Sequence, residues 1–581
     1  MIDTRVIARF PFGRPLLVGA LTGILAACQT APSSPPSAES AGSGGEVAPL
    51  HGPEGDRFQR GLYAYLTAEM ARREGAMGTA SNWYARAAQV TGRTDLYGRS
   101  VEAALHARVG EKAVTYATEW RQVAPDRPEP LFALAQARLL AGQPEKAVAA
   151  LDALVNAFPR ADGLYLEAGE RLAQSGGISS AVQVLRQTAK QNPDNAAAQL
   201  AYGHILARLE QRGEAATFLQ RALEMRPDWE AAAVELARTY EVQKGVEVLR
   251  RFIADHPGAE QARLRYGQGL LAIGRPGEAE AVFKGLAAGS PEDPAVQMGL
   301  GLARFQQEEW QKAHSALRRV VELDPGNNEA LFYLGRVAGA LENFQTAANY
   351  FSRVSGGQYL EQARMQEAVA AVKLGDLQRA LQLVRQMRSF HPEEPEYYRL
   401  EARVLFEMDQ FKAAEQVATQ GLQQDPGNTD LLYTRALIRE QLGDYAGMEA
   451  DIRQVIEQDP DEAQAYNFLG YSLADRGVRL RESLELLRKA NELEPEQAYI
   501  LDSLGWAYFR LGRLEKAESY LRRALARSAE DAEILSHLGE VLEAQGQAEK
   551  AREVWRRALN RAEQDSALAR ELRRRLHQEG Q

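Results

Sequence analysis

An alanine that recurs about every 34 residues constrains this 581-residue chain more than any other feature. From Gly61 onward, alanine holds twelve of fifteen equivalent positions, and Gly245, Met448 and Ser483 hold the other three. A period of this length is typical of repeat proteins, in which each repeat is one supersecondary unit stacked on the next. The twelve alanines are Ala80, Ala113, Ala147, Ala181, Ala215, Ala279, Ala313, Ala347, Ala380, Ala414, Ala517 and Ala551.

Two further positions keep the same register. Proline stands twelve residues after the alanine position in eleven of the fifteen repeats, and a small residue stands twelve residues before it in nearly every repeat. Because three registers stay aligned over most of the chain, they define a repeating unit rather than a chance pattern. The small residue is glycine at Gly169, Gly203, Gly267, Gly301, Gly335, Gly470, Gly505 and Gly539.

The spacing predicts that each unit is a pair of helices of about 14 residues joined by a turn. Small residues on the first helix and alanine on the second let the two helices cross closely. In one repeat, Leu504, Tyr508 and Leu521 lie at helical spacing around this crossing and are predicted to fill it. Proline ends the second helix because it has no amide hydrogen and disfavours helical geometry at the preceding residue.

These three positions resemble the signature of the tetratricopeptide repeat family. The resemblance implies an all-α fold, a right-handed superhelix of about 15 helix-turn-helix repeats over residues 58–565. It also implies that the chain binds other proteins and is not an enzyme. A basic helix in residues 566–581 is predicted to cap the array, with Leu568, Leu572 and Leu576 facing inward.

Three repeats depart from the pattern. The repeat at residues 230–259 is four residues short and loses the turn between its helices, and the repeat at 328–360 lacks its proline. The repeat that begins at Ala463 has one extra residue between its helices. Tolerated variation in the loops is one interpretation. The other is that the short repeat separates two functional segments.

Residues 1–27 are predicted to be a secretory signal, since Arg5, Arg9 and Arg14 accompany an apolar stretch too short to span a bilayer. The stretch ends in Leu-Ala-Ala-Cys and resembles the lipobox of bacterial lipoproteins, so we expect lipidation at Cys28, the only cysteine. An ordinary cleaved signal is the alternative. In the lipoprotein family, a residue such as Gln29 after the cysteine implies that the protein is located at the outer membrane and faces the periplasm.

Residues 28–57, rich in Ser, Pro, Gly and Ala, are predicted to be a disordered tether that follows the lipidated cysteine.

The sequence contains no recognisable catalytic or ligand motif. The eight histidines are scattered, and zinc-protease, serine-hydrolase and phosphate-loop motifs are absent from the sequence. A lone cysteine excludes a thiolate metal cluster and an internal disulfide. The net charge of −10 argues against a nucleic-acid partner. We therefore expect no metal, no cofactor and no catalytic residue.

Protein partners are expected on the concave face, which the family lines with the first helix of each unit. The second, fifth, ninth and twelfth positions of each repeat point there, and from the eighth repeat on many of these residues are aromatic or methionine. Such a face is a candidate for capturing protein or peptide, although packing against the next repeat would explain any single residue equally well. The candidate binding residues are Met298, Phe305, Phe332, Phe406, Tyr433, Tyr471, Trp506 and Phe509.

The segment from Phe58 to Glu74 is amphipathic and has two interpretations. Phe58, Leu62, Tyr65 and Leu66 fall on one side of a predicted helix. This helix is either the first of the array or, as a terminal helix with an incompletely covered face, a docking element for a partner.

Two stretches, at residues 465–477 and 498–517, resemble one group of the family, the outer-membrane lipoprotein adaptors of carboxyl-terminal processing proteases. The resemblance implies an adaptor that binds such a protease and presents protein substrates to it, among them peptidoglycan hydrolases. The alternative is a scaffold lipoprotein for envelope assembly, as in relatives that serve exopolysaccharide export or pilus secretin biogenesis.

Overall fold

The computed structural model describes residues 57–563 and 566–578, which form 31 helices and no strands. The signal at 1–27, Cys28 and the tether as far as residue 56 lie outside the described residues. The chain divides into two compact units between Tyr333 and Leu334, inside helix α17.

The helices of the first unit are α1 (Arg57–Arg73), α2 (Met77–Thr91), α3 (Thr94–His106), α4 (Gly110–Val123), α5 (Glu129–Leu140), α6 (Pro144–Ala157), α7 (Asp162–Gly176), α8 (Ile178–Gln191), α9 (Ala196–Arg208), α10 (Arg212–Met225), α11 (Glu230–Thr239), α12 (Val242–Asp255), α13 (Glu260–Ala272), α14 (Pro276–Ala287), α15 (Pro294–Gln306) and α16 (Trp310–Leu323).

The second unit contains the rest of α17 (Asn328–Ala340), then α18 (Phe344–Arg353), α19 (Leu360–Lys373), α20 (Leu377–Phe390), α21 (Pro395–Glu407), α22 (Phe411–Gln424), α23 (Thr429–Leu442), α24 (Tyr445–Gln458), α25 (Ala463–Asp475), α26 (Leu480–Leu493), α27 (Ala498–Arg510), α28 (Leu514–Arg527), α29 (Ala532–Ala544), α30 (Ala548–Arg561) and α31 (Ala567–Gln578).

These helices confirm the predicted all-α fold and the number of repeats. Fifteen consecutive pairs, from α1 and α2 to α29 and α30, are followed by the single helix α31. Helix α31 packs on α30 and buries Leu572 completely, while Leu568 and Leu576 are partly buried beside it. The predicted inward stripe of the last helix is therefore confirmed.

Each pair crosses where the sequence places its small residues. All fifteen residues at the alanine position are buried, including the exceptions Gly245, Met448 and Ser483. A Cβ on Gly505 would lie only 2.7 Å from Cγ of Leu521, and one on Gly301 would lie 2.6 Å from the same atom of Leu317. Because carbon atoms pack no closer than about 3.5 Å, the first helix has no room for a side chain at these two crossings.

Each unit curves towards its first helices. In the first unit α7 packs against both α5 and α9, and in the second unit α25 packs against α27, so successive first helices lie side by side. Among the described helices, close packing between successive second helices is confined to α6 and α8. The first helices thus form the inner face of each unit, which is the face on which sequence reasoning places the binding residues.

The three irregular repeats differ from their neighbours at the turns, as predicted. Only Tyr240 and Glu241 separate α11 from α12 in the short repeat. Helix α18 ends early, at Arg353, and the chain turns at Gly357 with a φ of 74°. The extra residue before α26 is accommodated by Arg479, whose φ of 45° lies in the left-handed region.

The short repeat also marks a change in the buried core. Leu236 belongs to an apolar cluster that begins at Ala64, whereas Ala237 belongs to a second cluster that continues to Ala316. The boundary between the two compact units lies elsewhere, within α17. That the short repeat separates two functional segments stays a prediction.

Substitution of Gly245 by alanine tests the close crossing of α11 and α12. The added methyl group would lie 2.6 Å from the carbonyl oxygen of Ala237, a backbone atom that cannot rotate away. We expect Gly245→Ala to lower the free energy of unfolding by about 1–3 kcal/mol, measured by circular dichroism during thermal unfolding. Gly213→Ala is the matched control, because Gly213 is helical with no atom within 4 Å of its added Cβ. An unchanged unfolding midpoint for Gly245→Ala would contradict the crossing geometry.

Candidate protein-binding surface

Six of the eight predicted binding residues are half-buried. They are Met298, Phe305, Phe406, Tyr433, Tyr471 and Phe509. Phe332 and Trp506 are deeper, with exposed fractions of 5% and 6%. The two interpretations of these residues, protein binding and packing against the next repeat, therefore both have a physical basis. Each side chain packs on its neighbours, and most retain accessible surface. Their part in binding stays a prediction.

The rings on the inner face hold one another in place. Phe305 makes edge-to-face contacts with Trp310 and Tyr333, with ring centroids 5.4 and 5.1 Å apart. Phe406 makes the same kind of contact with Phe411 at 5.2 Å. Such contacts contribute about 0.5–1.5 kcal/mol each beyond area burial. The inner face consequently presents aromatic surface in fixed positions.

Trp506 is the centre of a cluster near the end of the second unit. Its ring stacks on His537 of α29 with centroids 4.4 Å apart, and lies 5.0 Å from Phe509. His537 Nδ1 is 2.9 Å from Oδ1 of Asp502, one turn before Trp506. The buried Nε1 of Trp506 has no hydrogen-bond partner in the described structure. A buried donor without a partner costs about 1–3 kcal/mol.

His537 is held in its protonated form. Burial opposes protonation, but the Asp502 carboxylate outweighs it, and the pKa of His537 is raised to about 9. Glu533 and Glu540 act in the same direction as Asp502. The pair therefore forms a buried ion pair between two successive first helices at neutral pH.

Three tyrosines of this face lie among carboxylates. Tyr499 Oη donates a hydrogen bond to Glu494 at 3.0 Å, and Glu462 accepts one from the backbone amide of Gln464 at the start of α25. Burial raises the pKa of Tyr433 and of Tyr499, and Glu462 raises both further. Burial also raises the pKa of Tyr471, with further increases from Asp475, Asp502, Glu533 and Glu440.

The carboxylates around Tyr433 and Tyr499 repel one another. Burial raises the pKa of Glu462, and the negative charges of Asp459, Glu494 and Asp430 raise it further. On α23, burial raises the pKa of Glu440 to about 7. Three carboxylates thus lie close enough to Glu462 to raise its pKa.

The inner face of the first unit has a histidine–carboxylate pair of its own. Glu235 of α11 lies 2.8 Å from His204 Nδ1 on α9 and accepts a 2.8 Å hydrogen bond from Arg238. Burial opposes ionisation of Glu235, but His204 and Arg238 outweigh it and lower its pKa. Burial lowers the pKa of Arg265 on α13, and the charge of Arg238 lowers it further. Here a buried carboxylate has basic partners on both sides.

The two histidine–carboxylate pairs are not visible as local sequence motifs, because their residues lie far apart in the chain. His204 and Glu235 lie 31 residues apart, and Asp502 and His537 lie 35 residues apart. Both spacings are close to one repeat, and in each pair the residues occupy neighbouring first helices. A search for acid and histidine at this separation could have found them.

The described residues contain neither a candidate metal-binding group nor a membrane-spanning helix. In residues 57–563 and 566–578, no group of three or more His, Cys, Asp or Glu side chains is arranged to hold a metal ion. Within the same ranges, no helix combines the length and the apolar character needed to cross a membrane.

Helix α1 is the first helix of the array, as one of the two interpretations predicted. Its small residues Gly61, Ala64, Ala68 and Ala71 are buried in this helix, which packs on α2. The apolar side chains Phe58, Leu62, Leu66 and Met70 remain exposed along the opposite side, whereas Tyr65 packs near Tyr84 at 6.4 Å. A docking role for this apolar stripe stays a prediction.

Comparison with family models gives matches over most of the array. Four models, each described as a tetratricopeptide repeat, match residues 131–161, residues 172–239, three segments at 230–294, 298–359 and 365–429, and residues 429–564. The matched segments include both compact units.

Known proteins match only in part. A TPR repeat-containing protein of Pseudomonas aeruginosa is 39% identical over 193 residues, which are 32% of this chain and 32% of that protein. A CTR9 homolog of Arabidopsis thaliana is 24% identical over 259 residues, 40% of this chain and 22% of that protein. The chain thus spans about a third of the first relative and less than a quarter of the second.

Solved structures match this chain at low sequence identity. A tetratricopeptide repeat protein from Parabacteroides merdae has 18% identity and a TM-score of 0.39, covering 43% of this chain and 98% of that one. A chain of the APC/C Cut9–Hcn1 hetero-tetramer has 13% identity and a TM-score of 0.35, covering 89% and 96%.

The ion pair of His537 predicts a measurable titration. Because its pKa is raised from an ordinary value of 6.5 to about 9, the pair stabilises the fold fully below pH 6.5, and this stabilisation is lost as the pH rises through about 9. NMR of the histidine Cε1–H signals, assigned with His537→Gln, should show one histidine that titrates near pH 9. Asp502→Asn should move that titration to lower pH. A His537 signal that titrates near 6.5 in the native protein would contradict the pair.

Proposed function

Because the chain belongs to the tetratricopeptide repeat family, whose members are scaffolds for protein interaction, we propose that it is a periplasm-facing lipoprotein adaptor. It binds a carboxyl-terminal processing protease and delivers protein substrates to it, such as peptidoglycan hydrolases. Three features support this function: the repeat array, the lipobox at Cys28, and the resemblance of residues 465–477 and 498–517 to outer-membrane lipoprotein adaptors.

One observation supports an adaptor above a binder of a single partner: each of the two compact units has its own inner face lined by first helices. The face of the first unit carries a buried carboxylate compensated by His204 and Arg238. The face of the second unit carries the His537–Asp502 pair and tyrosines whose pKa values are raised by burial and by nearby carboxylates. Two such surfaces on one chain are suited to hold two different proteins.

The mechanism requires no chemistry from this chain. An adaptor that holds a protease on one surface and a substrate on another turns their encounter into an intramolecular event. The effective concentration then reaches about the millimolar range, far above that of free periplasmic proteins. The protease supplies the catalytic groups, and the adaptor raises the rate of productive encounters.

Removal of the gene tests the proposed function. We expect peptidoglycan hydrolases to accumulate and their half-lives to lengthen severalfold, measured by blotting after translation is stopped. Expression of the wild-type chain from a plasmid should restore the turnover. Affinity purification from detergent-solubilised envelope should yield the protease. Unchanged hydrolase turnover, with exopolysaccharide-export or secretin subunits in the purified fraction, would favour the envelope-assembly scaffold instead.

Substitution of Cys28 tests the proposed location. Several buried acyl chains hold a protein stably on a membrane, because each CH₂ contributes about 0.8 kcal/mol. We expect Cys28→Ala to prevent incorporation of a labelled fatty acid and to remove the chain from the outer-membrane fraction. Ser37→Ala, in the same predicted tether, is the control and should remain in that fraction. Retention of the Cys28→Ala chain in the outer membrane would rule out the lipid anchor.

A further inference from the structure

We propose that the outer side of α1 lies on the surface of a phospholipid bilayer. The contact is made by Phe58, Leu62, Leu66 and Met70, which we call the α1 stripe. The proposal rests on the proposed lipid anchor at Cys28 only for what brings α1 to a membrane. The occupant of the stripe is lipid rather than a protein.

Among the described residues, the α1 stripe is the one place where large exposed apolar side chains follow one another along a helix. Their exposed fractions are 73%, 44%, 52% and 63% in chain order. They recur every fourth residue over about 18 Å of helix, so they share one side. The other exposed large apolar side chains, such as Val123, Ile178 and Phe390, stand singly at helix ends or in turns.

The stripe is exposed because no described repeat precedes α1. One repeat later, the positions of Leu66 and Met70 are held by Ser100 and Ala104, and both are fully buried because α3 packs on α2. The outer side of a terminal repeat is normally polar, which keeps a repeat protein soluble. An apolar outer side on α1 therefore indicates that another surface covers it.

The other end of the array has the usual polar side. Helix α31 buries Leu572 and exposes Arg570, Arg573 and Arg574. Both α1 and α31 are terminal helices of the same array, yet only α1 exposes a line of large apolar side chains. The stripe is thus not a consequence of ending the array.

The predicted tether brings the stripe to the bilayer. It runs from Cys28 to the start of α1 at Arg57. A flexible tether of about 29 residues has a root-mean-square reach of roughly 30 Å. Of all the helices in the array, α1 is held closest along the chain to the anchor, so it meets lipid more often than any other helix.

The charged side chains of α1 suit a lipid surface. Arginine outnumbers acidic residues in this helix by four to one, whereas acidic residues outnumber basic ones by 79 to 69 in the whole chain. The one acid, Glu69, is already paired with Arg72 and Arg99. Arg60 and Arg73 are exposed and form no ion pair with a described residue. Free arginines beside an apolar stripe are attracted to anionic lipid headgroups.

Two half-buried aromatic rings lie beside the stripe. Tyr63 stands two turns before Met70 on the same side of α1, and makes an edge-to-face contact with Trp83 of α2 at 5.8 Å. Tyrosine and tryptophan favour the boundary between lipid and water, because each joins an apolar ring to a polar group. These rings are therefore placed to lie at the edge of the lipid contact.

The fold decides which side of α1 meets lipid. The opposite side consists of the small residues Gly61, Ala64, Ala68 and Ala71, which are buried in the packing of α1 on α2. The helix is consequently apolar on two sides, and only the stripe reaches solvent. Contact through the stripe holds the first repeat in one orientation at the membrane surface.

A fluorescent label at position 66 tests the contact. The environment-sensitive dye NBD is attached to Leu66→Cys in the full chain, which is purified and reconstituted on vesicles of phosphatidylethanolamine and phosphatidylglycerol. We expect the emission to shift to the blue and to rise severalfold, and lipids with a nitroxide on the acyl chain should quench it, because the label leaves water. The chain without an introduced cysteine gives the background.

The matched control places the same label on an isolated apolar side chain. Phe390 is 70% exposed at the end of α20, and the label on Phe390→Cys should keep the emission it has in water. Equal quenching at both positions would mean general proximity to lipid and would overturn the proposal. A label at position 66 that is not quenched would overturn it as well.

Replacement of two stripe residues distinguishes the stripe from the anchor. With Phe58→Asp, Leu62→Asp, the label at position 66 should lose its blue shift, because a carboxylate is costly to remove from water. Val242→Asp, Phe390→Asp is the control and should keep the shift. All four side chains are exposed, so circular dichroism should give both variants the unfolding midpoint of the wild type. An unchanged shift in Phe58→Asp, Leu62→Asp would refute the contact.

Fatty-acid incorporation, measured on the same samples, separates this inference from the proposed function. An acylated chain whose label stays in water would refute the inference and leave the anchor standing. A chain without fatty acid whose label still enters the bilayer would support the stripe and refute the anchor. In detergent solution, loss of the protease or of self-association by Phe58→Asp, Leu62→Asp would assign the stripe to a protein and overturn the proposal.

Discussion

The structure depends on one close contact, the crossing of the two helices of each pair, where small residues on the first helix meet alanine on the second in most repeats. At Gly505 and Gly301 even a methyl group would overlap with leucine of the second helix. Glycine inside a helix costs about 0.5–1 kcal/mol in conformational entropy. The packing of Leu521 and Leu317, both fully buried at these crossings, offsets this cost. Where serine replaces alanine, at Ser483, its hydroxyl donates to the Gly470 carbonyl oxygen at 2.6 Å and stays satisfied.

The same contact decides which residues are free to carry function. Since the small residues fix the crossing and the apolar residues around them fill it, the remaining side of each first helix has no part in joining the pair. In the first unit that side holds the paired charges of His204 and Glu235, and in the second it holds tyrosines and carboxylates. The same backbone arrangement in each repeat therefore allows different side chains on the inner faces of the two units, while the packing of each helix pair is kept.

The sequence was sufficient to predict what repeats. The three registers predicted fifteen pairs, a last helix with Leu572 turned inward, and the missing turn before α12, because each follows from local spacing. It was not sufficient for contacts between pairs. The bond between His537 and Asp502, the stacking of Trp506 on His537, and the division of the chain within α17 depend on how successive first helices are placed. Hydrophobic periodicity contains no information on that placement.

Electrostatics separates the carboxylates that support the fold from those that do not. Asp451 and Glu401 are almost completely buried, and each accepts hydrogen bonds or ion pairs from two arginines, so the cost of removing their charge from water is compensated. On the inner face, burial raises the pKa of Glu462, and the charges of Asp459, Glu494 and Asp430 raise it further. Water and neighbouring donors, rather than arginines, stabilise the charges of this group: Asp430 is exposed, and Glu494 accepts a hydrogen bond from Tyr499.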